Sequence, residues 1–133
     1  MPRAFNVEVF RGVINTGVTY YSDPAHDKLL GSADVLALQA IVEATPGATT
    51  VTAQYQTSNR ASPLVAEWSN PPNFTAAQPS PASASDVPKA ALTGSSLLDP
   101  MGSEGRVAVS CSAQTGVLVR VLVCGRVRGR GAR

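Results

Sequence analysis

The stretch Val117-Leu118-Val119-Arg120-Val121-Leu122-Val123-Cys124 decides how the rest of the chain is read. Its four valines fall at every second position. Successive side chains of a strand point to opposite sides, so the valines share one face, and Leu118, Arg120, Leu122 and Cys124 share the other. Both faces are mostly apolar. Such a strand is expected at the centre of a sheet, covered on both sides, with Arg120 paired or peripheral. Eight residues broken by an arginine cannot cross a bilayer, and no membrane partner is expected.

Residues Arg106–Cys111 read the same way and are expected to pair with Gly116–Val127 in a hairpin turning near 113–116. In that register Cys111 and Cys124 lie several residue pairs apart, too far for a disulfide. Two free, buried thiols follow, as in a reducing compartment.

Toward the N-terminus the period of two persists. Ala4–Phe10 places Phe5, Val7 and Val9 on one face, and Val13–Tyr21 forms a second extended segment interrupted by glycine. Ser22-Asp23-Pro24 is a turn, and 27–34 continues as loop. Val35–Ala44 fits a strand better than a helix, with Leu36, Leu38, Ala40 and Val42 inward. Pro46-Gly47 turns the chain into Thr49–Thr57, a Thr/Val-rich strand. Ser58–Pro63 is a loop, and Leu64–Trp68 a short returning strand. Short strands separated by Gly, Pro, Asn and Asp predict an all-β fold, a β-sandwich of jelly-roll or Greek-key type.

One segment does not fit that rhythm. Residues 70–103 hold six prolines and a run of Ala and Ser. They are expected to form a long Pro-rich loop, or an extended arm lying on a neighbouring subunit. Its apolar anchors are Phe74, Val87, Leu92, Leu97, Leu98 and Met101.

With 133 residues, the chain (1–133) is expected to be a single domain. Charged residues make up 15%, well below the usual quarter, which excludes a coiled coil or a charged disordered tail protein. The tail 126–133 carries four arginines, Arg126, Arg128, Arg130 and Arg133, while residues 1–125 are net −2. A nucleic-acid-binding body is therefore not expected. The tail is open to three readings: solvated, bound to an acidic partner surface, or weakly bound to nucleic acid. Residues 1–8 show no apolar signal segment.

No reactive constellation stands out. The sole histidine, His26, lies in Asp23-Pro24-Ala25-His26-Asp27, a polar loop without a partnered nucleophile. One imidazole and two carboxylates are too few to define a metal site. The Gly/Arg run 125–131 opens no helix and is not a phosphate loop. No catalytic residue, cofactor or metal is assigned. Tyr20, Tyr21 and Trp68 could build an aromatic platform, but adjacent tyrosines on a strand point opposite ways, so only one could join Trp68.

Four phrases carry a resemblance. They are Tyr20-Tyr21-Ser22-Asp23-Pro24, the run Ala33–Ala44, Thr49–Ser58 followed by Trp68, and Val119–Arg126. Their layout resembles small β-sandwich accessory virion proteins of tailed phages. The Pro-rich segment lies outside the similarity. The resemblance implies a structural virion protein without enzymatic chemistry. It would decorate or cement a phage capsid, with the major capsid protein or other shell subunits as partners. It would form a homo-oligomer on the particle and reside in the virion after assembly in the host cytoplasm. Candidate contact residues are Phe74, Val87, Leu92, Leu97, Leu98, Met101, Arg126, Arg128 and Arg130. The alternative is a carbohydrate-binding β-sandwich module using Tyr21 and Trp68.

Overall fold

The computed structural model describes residues 3–59, 67–71, 74–95 and 104–127. Strands β1 (Arg3–Asn15) and β2 (Tyr20–Tyr21) lead through a 3-10 turn, Pro24–His26, to a short helix α1 (Asp27–Gly31). Then follow β3 (Ala33–Ala44), β4 (Val51–Ser58), β5 (Lys89–Ser95), β6 (Glu104–Cys111) and β7 (Thr115–Val127). They form two antiparallel sheets, one ordered β1-β7-β3-β5 and the other β2-β6-β4. The fold is a β-sandwich, and β7 is central in its sheet.

β6 and β7 do not pair, which corrects the expected hairpin. Beyond Cys111 the chain stays bound to the start of β4: Ser112 N–H donates to the Thr50 carbonyl at 2.9 Å, and Thr49 Oγ1 to the Ala113 carbonyl at 2.8 Å. One residue on, the Gln114 carbonyl accepts from Thr16 N–H at 2.9 Å, at the end of β1. A left-handed Gln114 (φ 78°) makes this change of direction. The chain thus crosses the core, and the odd-numbered valines of β6 and β7 face each other from different sheets. Cys111 is buried there, but Cys124 is exposed on the outer face of β7, which corrects the expectation of two buried thiols.

β1 runs as one strand through Gly12, where two segments were expected, and breaks only at Gly17 (φ 82°) before β2. It keeps apolar residues inward by changing parity. Phe5 and Val7 stand opposite Gly125 and Val123, and a bulge at Val9 then shifts the register. Phe10, Gly12 and Ile14 consequently stand opposite Val121, Val119 and Val117. The odd and the even residues of β1 therefore serve the same core face in turn. β3 pairs the other edge of β7, and Leu36, Leu38, Ala40 and Val42 are buried as their alternation predicts.

The Pro-rich region is part of the sandwich over much of its length, not a free arm. Residues 77–81 run antiparallel along β4. Ala53 and Ala77 exchange both backbone hydrogen bonds at 2.9 and 3.0 Å. The carbonyls of Pro79 and Pro81 accept from Val51 and Thr49 N–H at 3.0 and 3.2 Å. Proline can fill this role because the row needs its carbonyl, and only the return donor is lost. Ala77, Pro79 and Pro81 are buried, while Gln78 and Ser80 are exposed. The chain then crosses to the other sheet and forms β5 on the edge of β3. With 77–81 counted as the row beyond β4, each sheet has four rows and the order is that of an eight-row jelly roll.

Candidate functional site

The outer face of the β1-β7-β3-β5 sheet is built by the residues that alternate with the core positions. From one end to the other, its rows are Val13 and Leu118; Arg11, Arg120, Ile41 and Ala90; Glu8, Leu122, Gln39 and Leu92; and Asn6, Cys124, Ala37 and Gly94. Ala4, Arg126 and Val35 close it. Leu92 is 68% exposed and Val13 59%, both large apolar side chains facing solvent. The small residues Ala4, Ala37, Gly94 and Cys124 leave a shallow groove of about 410 Å³ beside Arg126.

One ionic cluster interrupts this apolar surface. Arg120 Nε and Nη2 donate to Glu8 Oε2 at 3.0 and 2.9 Å, and its Nη1 lies 3.7 Å from Glu43. Arg11 Nε reaches the other Glu8 oxygen at 3.2 Å. Arg120 is thus paired, and the two arginines and two glutamates of the cluster balance each other.

The residues singled out from the sequence separate into three groups. Leu92 and Arg126 lie on this outer face. Phe74 and Val87 do not: Phe74 is 5% exposed and packs in the core against Tyr55, with ring centroids 5.4 Å apart, and Val87 is half-buried against the same core. Phe74 is therefore a structural anchor, because its segment is a row of the sandwich. Leu97, Leu98, Met101, Arg128 and Arg130 lie outside the described residues, as do most of the proposed Leu64–Trp68 strand and the Arg-rich tail. The sequence reading missed Val13, Ile41, Leu118 and Leu122 as surface residues. The signal was present in the two apolar faces of β7, but it was read as cover from both sides.

On the opposite sheet Tyr21 and Trp68 do share an outer face, with Arg106 between them. Nearby, α1 brings Asp27 toward Glu104. Burial first, and Glu104 second, push the Asp27 carboxyl from its ordinary 3.8 up to about 6. His26 Nδ1 and Asp27 Oδ1 are buried without a hydrogen-bond partner. Among the described residues, no group of three or more His, Cys, Asp or Glu is placed to hold a metal ion. None of the helices among those residues is long and apolar enough to cross a membrane.

No protein-family model matches the chain, and no curated protein is similar in sequence. Solved structures do share its shape. A structure of the infectious bursal disease virus Gx strain superposes with a TM-score of 0.50 at 11% identity, covering 99% of this chain and 34% of that one. A Bacillus endospore appendage, described as a disulfide-linked pilus, gives 0.46 at 11% identity over 95% of this chain and 87% of that one. The cyanophage Pam1 capsid asymmetric unit gives 0.43 at 18% identity over 96% and 84%. At 11% identity the likeness to the infectious bursal disease virus structure is one of fold alone.

Proposed function

We propose that this chain is a structural protein that assembles with the subunits of a protein shell, and that it decorates or cements a phage capsid in the virion. The carrying observation is the outer face of the β1-β7-β3-β5 sheet, where Val13 and Leu92 stand exposed beside half-buried Ile41, Leu118 and Leu122. Large apolar side chains gathered on one sheet face, even around an ionic cluster, support a contact site. Arg11 and Arg120 balance Glu8 and Glu43 in one cluster, so a partner docking over it meets no unpaired charge there. The low overall charge and the sandwich fold, shared with virus structures, support the same reading.

The size of the face bears on how binding works. Four strands about 4.8 Å apart and about nine residues of strand length give a patch of roughly 550 Å². That is below the ~800 Å² per partner of a standard stable complex. A single contact of this size is then modest, and stable occupancy requires linked copies of the chain or a second contact on the same particle. The test is density-gradient sedimentation of the native producer's lysate, with mass spectrometry for this chain in each fraction. Co-migration with megadalton particles at high salt, lost in Leu92→Asp and Val13→Asp variants, supports the proposal. A small soluble species at the top of the gradient overturns it.

A further inference from the structure

We infer that the opposite outer face carries a binding site for a neutral carbohydrate, built on Tyr21, Arg106 and Trp68. The inference does not depend on shell assembly, which uses the other face.

Three strand rows deliver these side chains. In β2, Tyr20 points inward beside Phe10, with centroids 6.3 Å apart, which leaves Tyr21 outward and 41% exposed. Tyr21 pairs with Ala108 of β6, and Arg106 lies two residues along on the same face. Trp68 precedes Ser69, whose two backbone hydrogen bonds to Thr57, at 2.8 and 2.9 Å, fix it beside β4. The guanidinium carbon of Arg106 lies 3.9 Å from the Tyr21 ring centroid and 4.4 Å from that of Trp68. Its Nε donates to Gln56 Oε1 at 2.8 Å, and Gln56 Nε2 donates to Asn70 Oδ1 at 3.3 Å.

This is a rigid surface with two aromatic bodies and a line of hydrogen-bonding groups between and beside them. The arginine is held by both rings and by an amide, so little side-chain freedom remains to be lost on binding. A pyranose matches such a surface: Arg106 covers one face of each ring, but Tyr21 stays exposed enough for the sugar's C–H face to pack on it, and the sugar hydroxyls both donate and accept. Phosphate matches it poorly. Asp27 interacts electrostatically with Arg106, and Glu104 and Asp23 stand near Asp27, so the one guanidinium does not create a positive field. A neutral sugar needs no such field.

Trp68 is the chain's sole tryptophan, so its fluorescence reports this site directly. The full chain is titrated separately with neutral hexasaccharides of β-1,4-glucan, β-1,3-glucan, chitin and mannan, and with inorganic phosphate. One sugar is expected to give a saturable spectral change at micromolar to millimolar concentration. Tyr21→Ala is expected to weaken it by about tenfold, with thermal stability unchanged. Gln56→Ala, on a different strand, replaces that variant should it not fold, and is expected to weaken binding about threefold. The inference is overturned by no saturable change with any of the four sugars. It is equally overturned by a change that both variants leave intact, or by a response to phosphate alone.

Discussion

Phe74 packs its ring on Tyr55, at a centroid distance of 5.4 Å, from within the Pro-rich segment that sequence alone sets apart from the core. The segment is therefore load shared with the sandwich. Truncating a buried phenylalanine removes its burial and leaves a cavity. Phe74→Ala should cost about 3–5 kcal/mol, read as a lower midpoint in urea unfolding. Deleting Pro71–Pro100, which suits a free arm, should instead abolish folding. It takes away the row covering β4, the Phe74 anchor and the whole of β5. A cooperative thermal transition in that deletion would show the segment to be dispensable.

Tyr55 is also tied to α1, since its hydroxyl donates to the Leu30 carbonyl at 3.0 Å in the buried core. Burial pushes this phenol up to about 12, so it stays protonated throughout the neutral range. Gly105 lies against the same hydroxyl. A Cβ added there would stand 2.5 Å from Tyr55 Oη and 2.9 Å from Leu30 Cβ. Gly105→Ala should cost about 1–3 kcal/mol through overpacking. Tyr55→Phe should cost about 1 kcal/mol through the lost hydrogen bond. The two are not additive, because the phenylalanine removes the nearest atom that the new methyl meets, while Leu30 Cβ and the ring Cε1 stay at 2.9 Å. Equal Gly105→Ala costs in both backgrounds would refute the hydroxyl as the atom that sets the cost.

The Asp27 carboxyl gives the fold a pH dependence of definite sign. It is raised from 3.8 to about 6 in the native state, chiefly by burial and then by Glu104, against the opposing pull of Arg106 and His26. Between those values the native chain holds a proton that the unfolded chain has released. This contribution is fully present below about pH 4 and is lost as pH rises through about 6. Asp27→Asn keeps the shape and removes the ionisation. Its stability relative to the parent should therefore be higher near pH 7 than near pH 4, by urea unfolding at both. A difference that does not vary with pH would mean that Asp27 ionises freely in the fold.

How far the sequence could be read depends on where its pattern was regular. The alternation of β3, β4, β6 and β7 is unbroken or nearly so, and strand identity and inward faces were legible there. β1 changes parity at Val9, so a strict period of two ends at Phe10, and nothing local shows that the strand continues. Pro79 and Pro81 alternate with Gln78 and Ser80 as strand residues do, but proline reads as a breaker unless the partner needs only its carbonyl. Sheet membership was not legible at all. The β6–β7 link is short enough for a hairpin, and only the bonds from 112–114 to two different sheets exclude it. Of the outer faces, Tyr21 and Trp68 were visible as a pair. Arg106 was not, because its partners come from three separate rows.

Arg120 sits amid the apolar outer face, bonded to Glu8 and within 3.7 Å of Glu43. The cluster is partly exposed, so its pairwise strength is that of a screened ion pair, about 0.5–1 kcal/mol. Arg120→Met leaves Glu8 and Glu43 without their shared cation and should destabilise the chain by about 1–2 kcal/mol. The triple change Arg120→Met, Glu8→Gln, Glu43→Gln removes these three charges together, leaves the exposed Arg11 to solvent, and should recover most of that loss. It also replaces three charges at the middle of the face with neutral side chains. A concentration-dependent increase in sedimentation coefficient should then appear for the triple variant and not for the parent. A triple variant as unstable as Arg120→Met would mean that the arginine acts by packing alone. A strictly monomeric one would mean that these charges do not keep the face from associating with itself.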